Sequence, residues 1–236
     1  MKLTFFYFKV FFLSTVRNIP ALFFTLIFPP LMLLLFANQW EGKNLLGALI
    51  VFFNYSVQTV ALMLLGMGVT QEKNSDWSKY LRTMPIGILP MIFGRLLHTL
   101  FLSIINLISL TFVALFLLNI QIETSQLLYF AFIALAGGIP MALLGMTIGY
   151  AANPESSRSI FTLLNLLLLF GSFALPGEGI FGTLRNLIPT YQWAQLSLAH
   201  INPTINSAIP LLWLCGYSIL FIIIFKKVYK RSIHKV

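Results

Sequence analysis

Residues Leu96–Leu118 read LLHTLFLSIINLISLTFVALFLL, a run that contains no Asp, Glu, Lys or Arg. A helix needs about 20 predominantly apolar residues to cross ~30 Å of hydrocarbon, so this stretch is long enough to span a bilayer. Working outward from it, comparable runs recur at Ile19–Ala37, Leu45–Val69, Leu127–Ala151, Ser159–Leu175 and Ile209–Phe225. The chain of 236 residues is 58% hydrophobic and only 9% charged, where an ordinary soluble domain has roughly 25% charged residues. Its mean hydropathy of +0.90 is more than one globular core can hide, which makes lipid the natural solvent. The expectation is an all-α membrane protein, a single domain over 1–236 with six transmembrane helices.

Charge sets the orientation. The net charge is +9, and when the loops are sorted by alternating side, only Lys43 and Arg185 of the 15 Lys and Arg fall on the side opposite the rest. That asymmetry is the positive-inside pattern and places both termini in the cytoplasm. It also accounts for the basic balance through lipid and topology, so nucleic acid is not an expected partner. Residues 1–18 carry Lys2, Lys9 and Arg17 among five Phe, as an interfacial helix lying before the first span would. Residues 176–207 are too polar to cross and too apolar for an ordinary loop. They are expected to dip into the outer leaflet as short helices, with Tyr191 and Trp193 suited to the headgroup level.

Several chemistries lack their residues. All six acids fall in expected loops, with Glu41, Glu123 and Glu178 outside and Glu72, Asp76 and Glu155 inside. No span therefore holds a carboxylate for proton or sodium coupling. No G-x-x-x-x-G-K-[ST] loop binds nucleotide. His98 and His200 have no G-x-S-x-G elbow or H-E-x-x-H pairing nearby, which leaves them as polar fillers or interfacial residues, and no catalytic residue is assigned. The lone Cys215 in an apolar run permits neither an internal disulfide nor a thiolate metal site, and no metal ligands are expected.

The most polar stretch is Glu72–Pro85, with two acids and three bases between apolar runs. Within it Trp77, Tyr80, Leu81 and Met84 recur at helical spacing while Lys73, Asp76, Lys79 and Arg82 lie away from them. An amphipathic helix over 72–84, parallel to the membrane and stopped by Pro85, follows from that pattern. It is either a loop helix that satisfies the positive-inside rule or a surface that docks into a cytoplasmic motor.

With Glu72–Lys73, Leu81–Arg82–Thr83–Met84–Pro85 and Gly94–Arg95 in place, the chain resembles the permease subunits of ABC-2 type exporters. The likeness extends to the basic amphipathic start, Arg17–Asn18–Ile19–Pro20, Pro29–Pro30 and Pro189–Thr190–Tyr191. Family members often carry Gly and Thr where this chain has Asp76 and Trp77, and Glu where it has Lys79. The resemblance implies a six-span half-transporter of the bacterial plasma membrane that pairs with a second permease copy. A separate cytoplasmic ABC ATPase would bind the ATP and Mg and push on Glu72, Lys73, Asp76, Trp77, Tyr80, Leu81 and Arg82. The resemblance does not decide the cargo; a mostly apolar route suits drugs, lipids, lipid-linked glycans or hydrophobic peptides alike. The likeness also implies a route lined by the second and fifth spans, where Asn54, Gln58, Phe161, Asn165 and Ser172 either touch cargo or bond between helices. The stripe Gly138, Ala142, Gly145 and Gly149 reads as close helix packing, with Gly137–Gly138 and Pro140 as a flexible point in the alternative. An ion-coupled carrier and a non-transporting membrane enzyme or scaffold are the competing functions.

Overall fold

Backbone in an apolar solvent must satisfy its own N–H and C=O groups, and this chain does so with helices; no strand occurs among the described residues. The computed structural model describes residues 2–37, 43–73, 75–76, 89–173 and 178–234. Nine helices follow along these residues. α1 is Lys2–Arg17, and α2 (19–37) joins Ile19–Leu22, a π-helical turn at Phe23–Ile27 and Phe28–Ala37. α3 (43–73) joins Lys43–Gln58, a π-helical turn at Thr59–Leu64 and Leu65–Lys73. α4 is Leu89–Leu117, whose last turns, Val113–Leu117, are also π-helical. α5 is Thr124–Ala151, α6 Pro154–Phe173, α7 Gly179–Asn186, α8 Pro189–Leu198 and α9 Ala208–His234.

The π turn of α2 has a covalent cause. Pro29 and Pro30 lack the N–H groups that the Thr25 and Leu26 carbonyls would otherwise accept, and the helix widens in the turn before them, with Phe28 N–H donating back to Phe23 O.

Four helices are long and apolar enough to cross a membrane: Leu45–Lys73, Leu89–Leu117, Thr124–Ala151 and Ala208–Arg231. The two other expected spans correspond to α2, with its shorter apolar stretch Phe23–Ala37, and α6. The decisive pattern is on α4, which is inside out by the standard of a water-soluble helix. Arg95, His98, Thr99, Ser103 and Asn106 are buried, while Phe93, Leu97, Leu100, Phe101, Ile104, Ile108 and Phe112 form an exposed stripe. A polar face turned inward and an apolar face turned outward suit a hydrocarbon solvent, and the chain is a membrane protein.

α3 sits at the centre, between α4 on one side and α5 on the other; α1 lies along α4, and α9 along α5. The contact of α3 with α5 is nearly backbone to backbone. A Cβ on Gly145 would come within 2.8 Å of the Leu62 and Ala61 carbonyl oxygens, and one on Gly149 within 2.6 Å of the Gly66 oxygen. The stripe is completed by Gly138, where a Cβ would press on Val57 at 2.7 Å, and by the buried Ala142.

Candidate functional site

A cluster of charged residues gathers at one end of the bundle, where α3 finishes. Its helix runs one turn past the expected span and ends at Lys73, so Glu72 and Lys73 stand in the last turn of α3 and do not open the separate amphipathic helix expected over 72–84. The extra turn is held by polar partners on two neighbours. Glu72 Oε2 pairs with Nη2 of Arg95 on α4. Lys73 Nζ donates to the carbonyls of Tyr150 at 2.7 Å and Ala152 at 2.6 Å, at the end of α5. Carbonyls at a helix C-terminus have no intrahelical donor and carry the negative end of the helix dipole, so an ammonium suits them. One turn earlier, Thr70 Oγ1 lies 3.1 Å from both the Gly66 and Gly149 oxygens, a third tie between α3 and α5.

α1 closes the cluster from outside. The Arg95 guanidinium lies 4.6 Å from the Phe11 ring centre, a cation–π distance, and its Nη1 is buried without a hydrogen-bond partner. Thr15 Oγ1 and His98 Nε2 are 3.2 Å apart. Gly94 permits this approach, because a Cβ there would fall 2.6 Å from Tyr7 Cβ and 2.8 Å from Thr4 O. Burial first, and the neighbouring Glu72 carboxylate second, raise the Tyr7 phenol above its ordinary range, so it stays neutral. Asp76 lies past the cluster and is exposed. Trp77, Tyr80, Leu81 and Arg82, with Lys79, Met84 and Pro85, fall outside the described residues.

A second polar group lies within the bundle. Gln58 Nε2 donates to Asn165 Oδ1 at 2.8 Å, bringing α3 to α6, and Asn165 Nδ2 reaches Thr59 Oγ1 at 3.4 Å. Asn54 Nδ2 donates to Ser197 Oγ of α8 at 3.2 Å, leaving Asn54 Oδ1 buried and unpartnered. Phe161 is wholly buried against Gly66, where a Cβ would overlap its ring at 2.3 Å. Ser172 belongs to the last turn of α6, but its side chain lies outside the described residues. Asn54, Tyr55, Gln58, Thr190 and Trp193 line a small half-open crevice at this group. The π-helical turn Thr59–Leu64 begins directly after Gln58, and such turns mark functional positions in many helices.

The short helix α8 is where the sequence reading missed most. Trp193, whose ring suited the headgroup level, is instead completely buried. Its Nε1 donates to Ile133 O at 3.0 Å, and its ring occupies the space above Gly137. Thr190 donates to Leu168 O at 2.5 Å, and Tyr129 of α5 donates to Leu196 O at 3.1 Å. α8 is thus fastened to α3, α5 and α6 as a plug. The available signal was Gly137, which adds a second gap beside Gly138 for something bulky to fill. His200 is exposed and stacks on Tyr129 with ring centres 4.4 Å apart. Among the described residues, no group of three or more His, Cys, Asp or Glu could hold a metal ion.

The chain is similar to a protein of Bacillus subtilis (strain 168) named "Putative transport permease YvfS". The two are 23% identical over 202 residues, covering 83% of this chain and 80% of that protein. No protein-family profile matches the chain. No solved structure matches it either.

Proposed function

We propose that this chain is the transmembrane permease subunit of an ABC exporter, driven by a separate cytoplasmic ATPase and working as a pair of permease copies. In this reading all six apolar helices cross the membrane, with α2 and α6 completing the four long spans, and the basic end faces the cytoplasm. The similarity to a named transport permease supports the class. The observation that carries the mechanism is the double anchorage of α3, held to α4 by Glu72 and to α5 by Lys73 where the charged segment begins.

The division of labour follows from burial. Glu72 and Lys73 engage the chain's own helices and transmit movement. Asp76 and the segment beyond it meet the motor. Tighter binding of the ATPase to one arrangement of that segment shifts the equilibrium between inward-open and outward-open states. The cargo is hydrophobic or amphiphilic, since the polar groups of the route are few and amide in type. Affinity purification of the tagged chain from its own cells is expected to recover a nucleotide-hydrolysing subunit, and inactivating that subunit to abolish export. Uphill solute movement by the purified permease reconstituted alone would overturn the reading.

A further inference from the structure

α9 outlasts its membrane span, because its apolar run ends at Phe225 while the helix continues to His234. The extension has two faces. Tyr229 packs on Tyr150 of α5 with ring centres 5.2 Å apart, and Phe225 does so at 5.8 Å. Lys226, Lys227, Lys230 and Arg231 are all exposed. Spacings of four bring 226 next to 230 and 227 next to 231, so the bases share one side of the helix.

That side continues the exposed stripe of the span. Ile219 and Ile223 are 61% and 49% exposed, and steps of four lead from them to Lys227 and Arg231. A single helical ridge therefore turns from apolar to basic just after Phe225. Lys226 to Lys230 rise about 1.5 to 7.5 Å beyond it and Arg231 about 9 Å, so the bases cross the headgroup layer, about 5–7.5 Å on each side of a ~30 Å core, and reach its outer edge. Whatever covers the isoleucines also covers the bases. No ion pair joins any of the four to an acid among the described residues, where Glu72 pairs with Arg95.

We propose that this face of α9 is a binding site for anionic phospholipid, in which Lys226, Lys227, Lys230 and Arg231 hold the headgroup phosphate while Ile219 and Ile223 take the acyl chain. The inference rests on the reading that α9 spans the bilayer with its basic end at the cytoplasmic surface. A lipid is favoured over an acidic protein because the basic ridge is collinear with an apolar one. A soluble partner reaches the first and has no use for the second.

The test is native mass spectrometry of the full chain in detergent, titrated with phosphatidylglycerol or phosphatidylcholine. The wild type is expected to retain phosphatidylglycerol preferentially. Lys226→Gln, Lys227→Gln, Lys230→Gln and Arg231→Gln combined should reduce that retention by roughly tenfold or more, each base near an anionic surface contributing substantially. Exchanging Lys for Arg and Arg for Lys at the same positions should preserve it, which separates lost charge from lost folding. Unchanged retention in the neutral variant overturns the site. So does full displacement of the lipid by inorganic phosphate, which marks a soluble-anion site, or loss of a co-purifying protein with lipid binding intact. A carboxy-terminal reporter on the outer surface would overturn the orientation alone, leaving the lipid preference to be scored separately.

Discussion

Asn106 poses the sharpest question at the scale of single residues. It is fully buried on α4, and neither its Oδ1 nor its Nδ2 has a hydrogen-bond partner. A buried polar group left unpaired costs about 1–3 kcal/mol, and leucine has nearly the same bulk without the polar atoms. Asn106→Leu is therefore expected to raise the thermal midpoint of the purified protein, and a fall in that midpoint would mean that the amide is satisfied after all. If the stabilised variant also loses transport, the amide is kept for a state other than this one. Arg95 poses the opposite case, since its buried guanidinium depends on Glu72. Glu72→Ala leaves that charge uncompensated and should destabilise by about 3–5 kcal/mol, whereas Glu72→Gln with Arg95→Met should recover much of the loss. Denaturation of the wild type, Glu72→Gln, Arg95→Met and the double variant reads the coupling directly.

Between helices, the close contact of α3 and α5 governs the packing. A methyl group on Gly145 meets carbonyl oxygens within 2.8 Å, and backbone cannot move aside as a flexible side chain does, so the two helices must separate. Gly145→Ala should destabilise by about 1–3 kcal/mol. Gly47→Ala and Gly216→Ala, with nothing within 4 Å of the added atom, should be neutral or slightly stabilising through helix propensity. Equal effects at all three positions, measured by thermal unfolding, would refute the packing account. Much of this level was legible in the sequence, because hydrocarbon solvent enforces helices and a charge-free run declares its own length. The stripe from Gly138 to Gly149 could be seen as a stripe, though not which helix it meets, since periodicity describes one helix at a time. The same limit hid the pairing of Glu72 with Arg95, two residues in separate helices whose register only the fold sets. Trp193 was misplaced for a related reason: a tryptophan in a polar-flanked segment reads as interfacial unless the cavity at Gly137 is already known. Glu72 was assigned to a separate amphipathic helix and not to the end of α3 because an acid beside an apolar run looks like a boundary, whereas pairing with Arg95 lets the spanning helix carry it one turn further.

For the whole molecule, the proposed mechanism assigns docking and transmission to different residues, and this makes it testable without knowing the cargo. Asp76 is exposed past the end of α3, while Glu72 and Lys73 face the chain's own α4 and α5. Asp76→Lys therefore alters the surface offered to the ATPase without disturbing the anchorage, and should weaken association, lowering both co-purification and export. Lys73→Met removes the bonds to the Tyr150 and Ala152 carbonyls but leaves the exposed surface as it was. It should preserve co-purification and ATP hydrolysis while reducing export, because movement of the segment no longer carries α5 with it. The two variants should thus separate into a binding defect and a coupling defect, read by pull-down and by efflux in the same cells. If Lys73→Met abolished association while Asp76→Lys left both association and export intact, the motor would have to meet the bundle at the end of α3 itself. Force would then enter the membrane through the Glu72 and Lys73 contacts directly and not through the segment beyond them.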